Sequence, residues 1–93
     1  MIDFGCRLTM PEHVAARELD GELVLLNFDS ESYFGLDDIG TRILEVLRSS
    51  PTIDAGVLAL MDEFEVDEPA LRGDVTTLLQ QLLDGGLVAL EPA

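Results

Sequence analysis

Basic side chains are scarce in this sequence. Five Lys and Arg stand against 19 Asp and Glu, a net charge of −14 over 93 residues. Such a surface repels phosphate backbones and anionic lipid, which argues against nucleic acid and membranes as partners. Cys6 is the only cysteine, so no disulfide can form within the chain, and a reducing compartment, the cytosol, is expected. No apolar run is long enough to cross a bilayer, and the acidic start Met1-Ile2-Asp3-Phe4-Gly5-Cys6 does not read as a signal peptide. Internal repeats and low-complexity tracts are missing too. The length suits a single domain over residues 1–93, with residues 1–10 expected to be flexible.

Catalytic chemistry is equally short of material. His13 is the single histidine, so a Cys6–His13 nucleophile or metal pair would need further ligands from carboxylates. The acidic pairs Asp37-Asp38, Asp62-Glu63 and Asp67-Glu68 lack the alternating ligand spacing and loop glycine of a calcium site, and two of them stand where helix caps belong. Gly85-Gly86 follows a helix instead of opening one, so it is no phosphate loop. No enzyme activity, cofactor or metal is expected.

What is present is a segregated pattern of strands and then helices. Residues 14–19 and 22–28 flank Asp20-Gly21, a dipeptide suited to a tight hairpin turn, and Leu23-Val24-Leu25-Leu26 is apolar on both faces as in a central strand. Ser32-Tyr33-Phe34-Gly35-Leu36 follows as a third strand at a sheet edge. Asp37 or Asp38 can cap a first helix carrying Ile39, Ile43, Leu44, Val46 and Leu47, and Ser49-Ser50-Pro51 stops it. Thr52 can cap a second helix with Ile53, Val57, Leu58, Met61 and Phe64 on one side. Asp67 opens a third that ends at Gly85-Gly86, and residues 87–90 close the chain as a short strand or packed tail. The order predicts an α+β, winged-helix-like domain, a three-stranded antiparallel sheet on three helices. A DNA-reading winged helix is disfavoured, since the third helix offers Arg72 alone against Asp67, Glu68, Asp74 and Asp84.

Two features exceed the needs of packing. Leu71, Val75, Leu78, Leu79, Leu82 and Leu83 spread over an arc of about 140°, so that either two neighbouring elements share this helix or part of it faces a groove. The strand Ser32 to Leu36 carries no Lys or Pro to blunt its edge, so it is either covered by the N-terminal segment or open to strand addition.

Leu23-Val24-Leu25-Leu26-Asn27, Ser32-Tyr33-Phe34-Gly35-Leu36-Asp37 and Ile39-Gly40-Thr41-Arg42-Ile43, together with the Val66-Asp67 join and the Gly85-Gly86-Leu87 ending, resemble the PqqD-like family. These small proteins, also called RiPP recognition elements, bind leader peptides of ribosomally made, post-translationally modified peptides. The resemblance implies that a precursor's leader adds antiparallel to the third strand, along Glu31, Ser32, Tyr33, Phe34 and Leu36. Its side chains would drop against Leu71, Asp74, Val75, Leu78 and Leu79 of the third helix. Within the family the chain looks most like free-standing members of lasso-peptide pathways, whose partners are a leader peptidase and an ATP-dependent cyclase. The alternative member serves the pyrroloquinoline quinone (PQQ) pathway beside a radical enzyme. From a different class, a winged-helix regulator or an acidic DNA mimic remains as a further reading.

Overall fold

The computed structural model describes residues 2–93. Eight elements follow in order: β1 (Cys6–Thr9), β2 (Val14–Leu19), β3 (Glu22–Asn27), β4 (Ser32–Leu36), α1 (Asp38–Arg48), α2 (Ile53–Phe64), α3 (Glu68–Asp84) and β5 (Ala89–Pro92). The main sheet is antiparallel in the order β2-β3-β4, as the sequence predicts. Its hairpin turns on Asp20 and Gly21, with φ of 54° and 83°, the pair of positive values that a right-twisted two-residue turn requires.

Each helix begins with an oxygen acceptor that its sequence offers, Asp37 being the one of the Asp37-Asp38 pair that caps α1. The side chains of Asp37, Thr52 and Asp67 accept from the backbone N–H of Gly40, Ala55 and Ala70, satisfying one orphan donor per helix. At the far end of α3 the Gly86 N–H reaches Leu83 O at 3.0 Å and the Leu87 N–H reaches Leu82 O at 2.9 Å, with Gly86 at φ 66°. This double closure with a left-handed residue is a Schellman cap, and it turns the chain back to bury Leu87 and Val88.

The inward face of the sheet carries Leu23, Leu25 and Asn27 of β3 opposite Leu36, Phe34 and Ser32 of β4. The apolar members pack with Leu44, Leu47, Ile53, Val57, Leu60, Val75, Leu79 and Leu82 of the three helices in one core. Two apolar positions assigned to helix stripes lie outside it, Ile39 and Leu58, both exposed.

The N-terminal segment departs from expectation. Residues 1–10 were expected to be flexible, yet β1 pairs antiparallel with β5, from Cys6 opposite Pro92 to Thr9 opposite Ala89. The Phe4 carbonyl also accepts from the Asp54 N–H at 2.8 Å in the first turn of α2, and Leu8 is buried. Backbone pairing with the far end of the chain supplies the order that local sequence does not. The segment therefore engages β5 and α2, and among the described residues no strand pairs with the outer edge of β4.

Candidate peptide-binding edge

The candidate site is built from that free edge and from α3. An unpaired edge strand presents a row of backbone donors and acceptors, the template for strand addition. Alternation along β4 sends successive side chains to opposite faces, so Phe34 and Leu36 turn toward the helices while Tyr33 turns away. Leu36 is buried, Phe34 is half-buried against the core, and Tyr33 is 76% exposed on the outer face. Of the residues expected along this edge, Phe34 and Leu36 therefore face the helices and Tyr33 lies on the opposite face.

Helix α3 divides its broad apolar arc the same way. Leu71, Val75, Leu79 and Leu82 recur at four- and three-residue steps and are buried; they belong to the core. Of the expected helix wall, Leu78 is half-buried and packed against that core, and Asp74 is exposed one turn before it on the same flank. The opposite flank is occupied. Arg72 binds Glu68 Oε2 at 2.7 Å and Asp54 Oδ1 at 2.8 Å, and its guanidinium lies 4.9 Å from the ring centre of Phe4. These carboxylates hold the Arg72 pKa above its ordinary value, Glu68 first and then Asp54. A cavity of about 770 Å³ beside this cluster, lined by Ile2, Asp3, Phe4, Asp54, Arg72, Gly73 and Thr76, contains none of the expected site residues. The single cation of α3 is therefore spent on carboxylates of its own chain, away from the Leu78 flank.

Asn27 positions the two walls and carried no role in the sequence reading. It is buried, yet both ends of its amide are used. Nδ2 donates to Gly85 O at 2.9 Å, at the end of α3, and Oδ1 accepts from the Asp29 and Ser30 N–H groups at 2.9 and 3.2 Å. One side chain thus fixes the turn into β4 and ties that turn to the C-terminus of α3. The inward alternation Leu23, Leu25, Asn27 was the available signal, because a polar residue on a buried face needs partners. At the other end of the edge, buried Thr41 accepts from the Leu23 N–H at 3.0 Å and donates to Leu36 O at 3.3 Å.

Glu31 and Ser32 lie at the start of the edge. With Leu26, Asn27, Phe28 and Tyr33 they line a depression of about 320 Å³. Cys6 and His13 are engaged elsewhere. The Cys6 thiol is pushed up by burial and then by Asp3, which disfavours the thiolate, and His13 Nε2 lies 3.1 Å from Gly86 O. Among the described residues no group of three or more His, Cys, Asp or Glu is placed to hold a metal, and no helix is long and apolar enough to cross a membrane.

Residues 22–88 match the family model of coenzyme PQQ synthesis protein D (PqqD). Among solved structures, TbiB1 in complex with the TbiA(beta) leader peptide superposes with a TM-score of 0.78 at 32% identity, over 91% of this chain and 96% of that one. Lasso peptide synthetase B1 complexed with the leader peptide superposes with a TM-score of 0.79 at 22% identity, over 89% of this chain and 98% of that one, a likeness of fold. No curated protein matches the chain.

Proposed function

We propose that this chain, which belongs to the PqqD family, binds the leader segment of a ribosomally made precursor peptide and is not itself a catalyst. The leader adds as a fourth strand, antiparallel along the free edge of β4, and presses its inward side chains between Phe34 and the Leu78 flank of α3. Main-chain hydrogen bonds along the edge supply affinity, and the apolar strip supplies selection. The observation that carries this reading is the unpaired edge of β4 in a chain 32% identical to TbiB1, a protein solved with a leader peptide on it.

The sequence resemblance, with the fold shared with lasso peptide synthetase B1, favours a lasso-peptide pathway, in which the bound leader is presented to a peptidase and a cyclase. The PqqD match supports a second reading, a peptide chaperone of coenzyme PQQ synthesis, with the same edge and a different enzyme partner.

Titrating fluorescently labelled leader peptides from the precursor genes beside this one, read by anisotropy, tests the proposal. Saturable binding is expected. Leu78→Glu should weaken it roughly tenfold or more, since about 1.4 kcal/mol suffices and a charge in an apolar strip costs at least that. Ile39→Glu, on an exposed position of α1, is the control. Val75 is unsuitable for a charge because it is fully buried, and its loss would unfold the core. Absence of binding to every such leader, or equal affinity for Leu78→Glu and wild type, refutes the reading.

A further inference from the structure

The depression at the start of β4 has a composition that edge pairing does not use. Leu26, Phe28 and Tyr33 line it together with the polar Asn27, Ser32 and the carboxylate-bearing Glu31. Phe28 is 63% exposed and Tyr33 76%, so both aromatic rings of the lining stand largely in water by the β3–β4 turn. Neither ring is needed by the core. Among the described residues no ion pair reaches Glu31, and the Asp29 carboxylate, in the same turn, has His13 Nδ1 at 3.7 Å.

The register brings Ala15, Leu26 and Tyr33 into one row across the outer face, and Arg17, Val24 and Gly35 into the next. Arg17 is the cation of that face; it stands on the far strand opposite Val24, one row removed from Leu26 and Tyr33.

We infer that this depression is a subsite for a cationic side chain with an apolar stem, arginine or lysine, on the bound peptide. Aromatic faces attract a cation through their quadrupole, an unpaired carboxylate fixes its head, and the Leu26 side chain in the lining takes the methylenes. The placement of that residue rests on the leader-binding reading. A peptide antiparallel to β4 enters beside Leu36 and leaves beside Ser32, so its C-terminal residues pass the depression. There the side chains that point away from α3 fall on the outer face, beside Tyr33. The peptide is thereby sorted by two faces, apolar residues inward against Phe34 and Leu78 and a cation outward at its C-terminal end.

The subsite can be tested without a leader. N-acetyl-arginine methylamide, titrated into the 15N-labelled protein, should move the amide resonances of Leu26, Phe28, Glu31 and Tyr33 saturably. The uncharged isostere N-acetyl-citrulline methylamide should bind roughly fivefold more weakly or less, and Glu31→Gln should weaken the arginine probe by a similar factor. Equal shifts with citrulline, shifts spread elsewhere, or no shifts overturn the inference. Leader titrations separate the two proposals. Leader binding that ignores Glu31→Gln sinks the subsite alone, whereas arginine-probe binding without leader binding sinks the strand-addition reading and leaves the subsite standing.

Discussion

Asn27 is where the fold and the site meet, and replacing it should damage both. In Asn27→Ala the Asp29 and Ser30 N–H groups lose their acceptor and Gly85 O loses its donor. The turn is exposed, so water can replace part of the first two bonds, at about 0.5–1 kcal/mol each; the partly buried bond to Gly85 adds about 1. The sum, about 2–3 kcal/mol, compares with a total stability of about 5–14 kcal/mol expected for a chain of this length. It should lower Tm by roughly 8–24 °C. Asn27→Asp separates the two ends of the amide. It keeps the acceptor for the turn but sets a carboxylate against the carbonyls of Gly85 and Gly86, so at pH 7 it should be less stable than Asn27→Ala. That Asp would have a folded pKa raised above its unfolded value. Its penalty is therefore absent below the ordinary carboxylate pKa of about 4 and grows as pH rises through the folded value. Urea denaturation from pH 3 to 8 reads this. A Tm for Asn27→Ala within 3 °C of wild type, or an Asn27→Asp curve that parallels wild type across the range, would refute the role assigned to this amide.

Gly86→Ala should cost about 2 kcal/mol in urea denaturation, because φ is 66° there and the new Cβ would stand 3.2 Å from Asn27 Nδ2; an unchanged midpoint would contradict the strained cap. Glu63 lies below the usual carboxylate range because Arg42 hydrogen-bonds it, at 2.8 and 3.1 Å from Nε. A depressed folded pKa gives stability that is present above the ordinary value of 4.5 and lost as pH falls through the folded one. The Tm gap between wild type and Glu63→Gln should therefore be widest at neutral pH and close on acidification, and a gap that widens toward pH 3 would reverse the sign. Raising salt to about 1 M, where the screening length falls to about 3 Å, should promote self-association through the β4 edge in sedimentation velocity, with a chain that stays monomeric at every salt concentration as the contrary result.

Local chemistry was legible in the sequence and long-range pairing was not. Asp20-Gly21, the caps Thr52 and Asp67, and the pair Asp37-Asp38 from which α1 takes its cap declare themselves because a turn or a cap is decided within four residues. The β1–β5 ladder joins four residues near one end to four near the other, and nothing in Cys6-Arg7-Leu8-Thr9 names Ala89 as a partner. Periodicity located the broad face of α3 but not its division between core and groove. Leu78 and Leu79 are adjacent in sequence, yet only Leu79 is enclosed, because the choice depends on what stands opposite.

An open edge exposes its owner to pairing with copies of itself, and β4 lacks the lysines and prolines that usually prevent it. Charge supplies an alternative guard. Two β4 edges meeting antiparallel would bring Glu31 of one copy toward Asp37 and Asp38 of the other, within molecules that each carry −14. The same field attracts a cationic strand. On the leader-binding proposal, one property, acidity at both ends of an apolar edge, would reject self-pairing and favour a peptide that brings the missing positive charge. Such a site would be open and yet selective, with its carboxylates outside the strip that main-chain pairing uses.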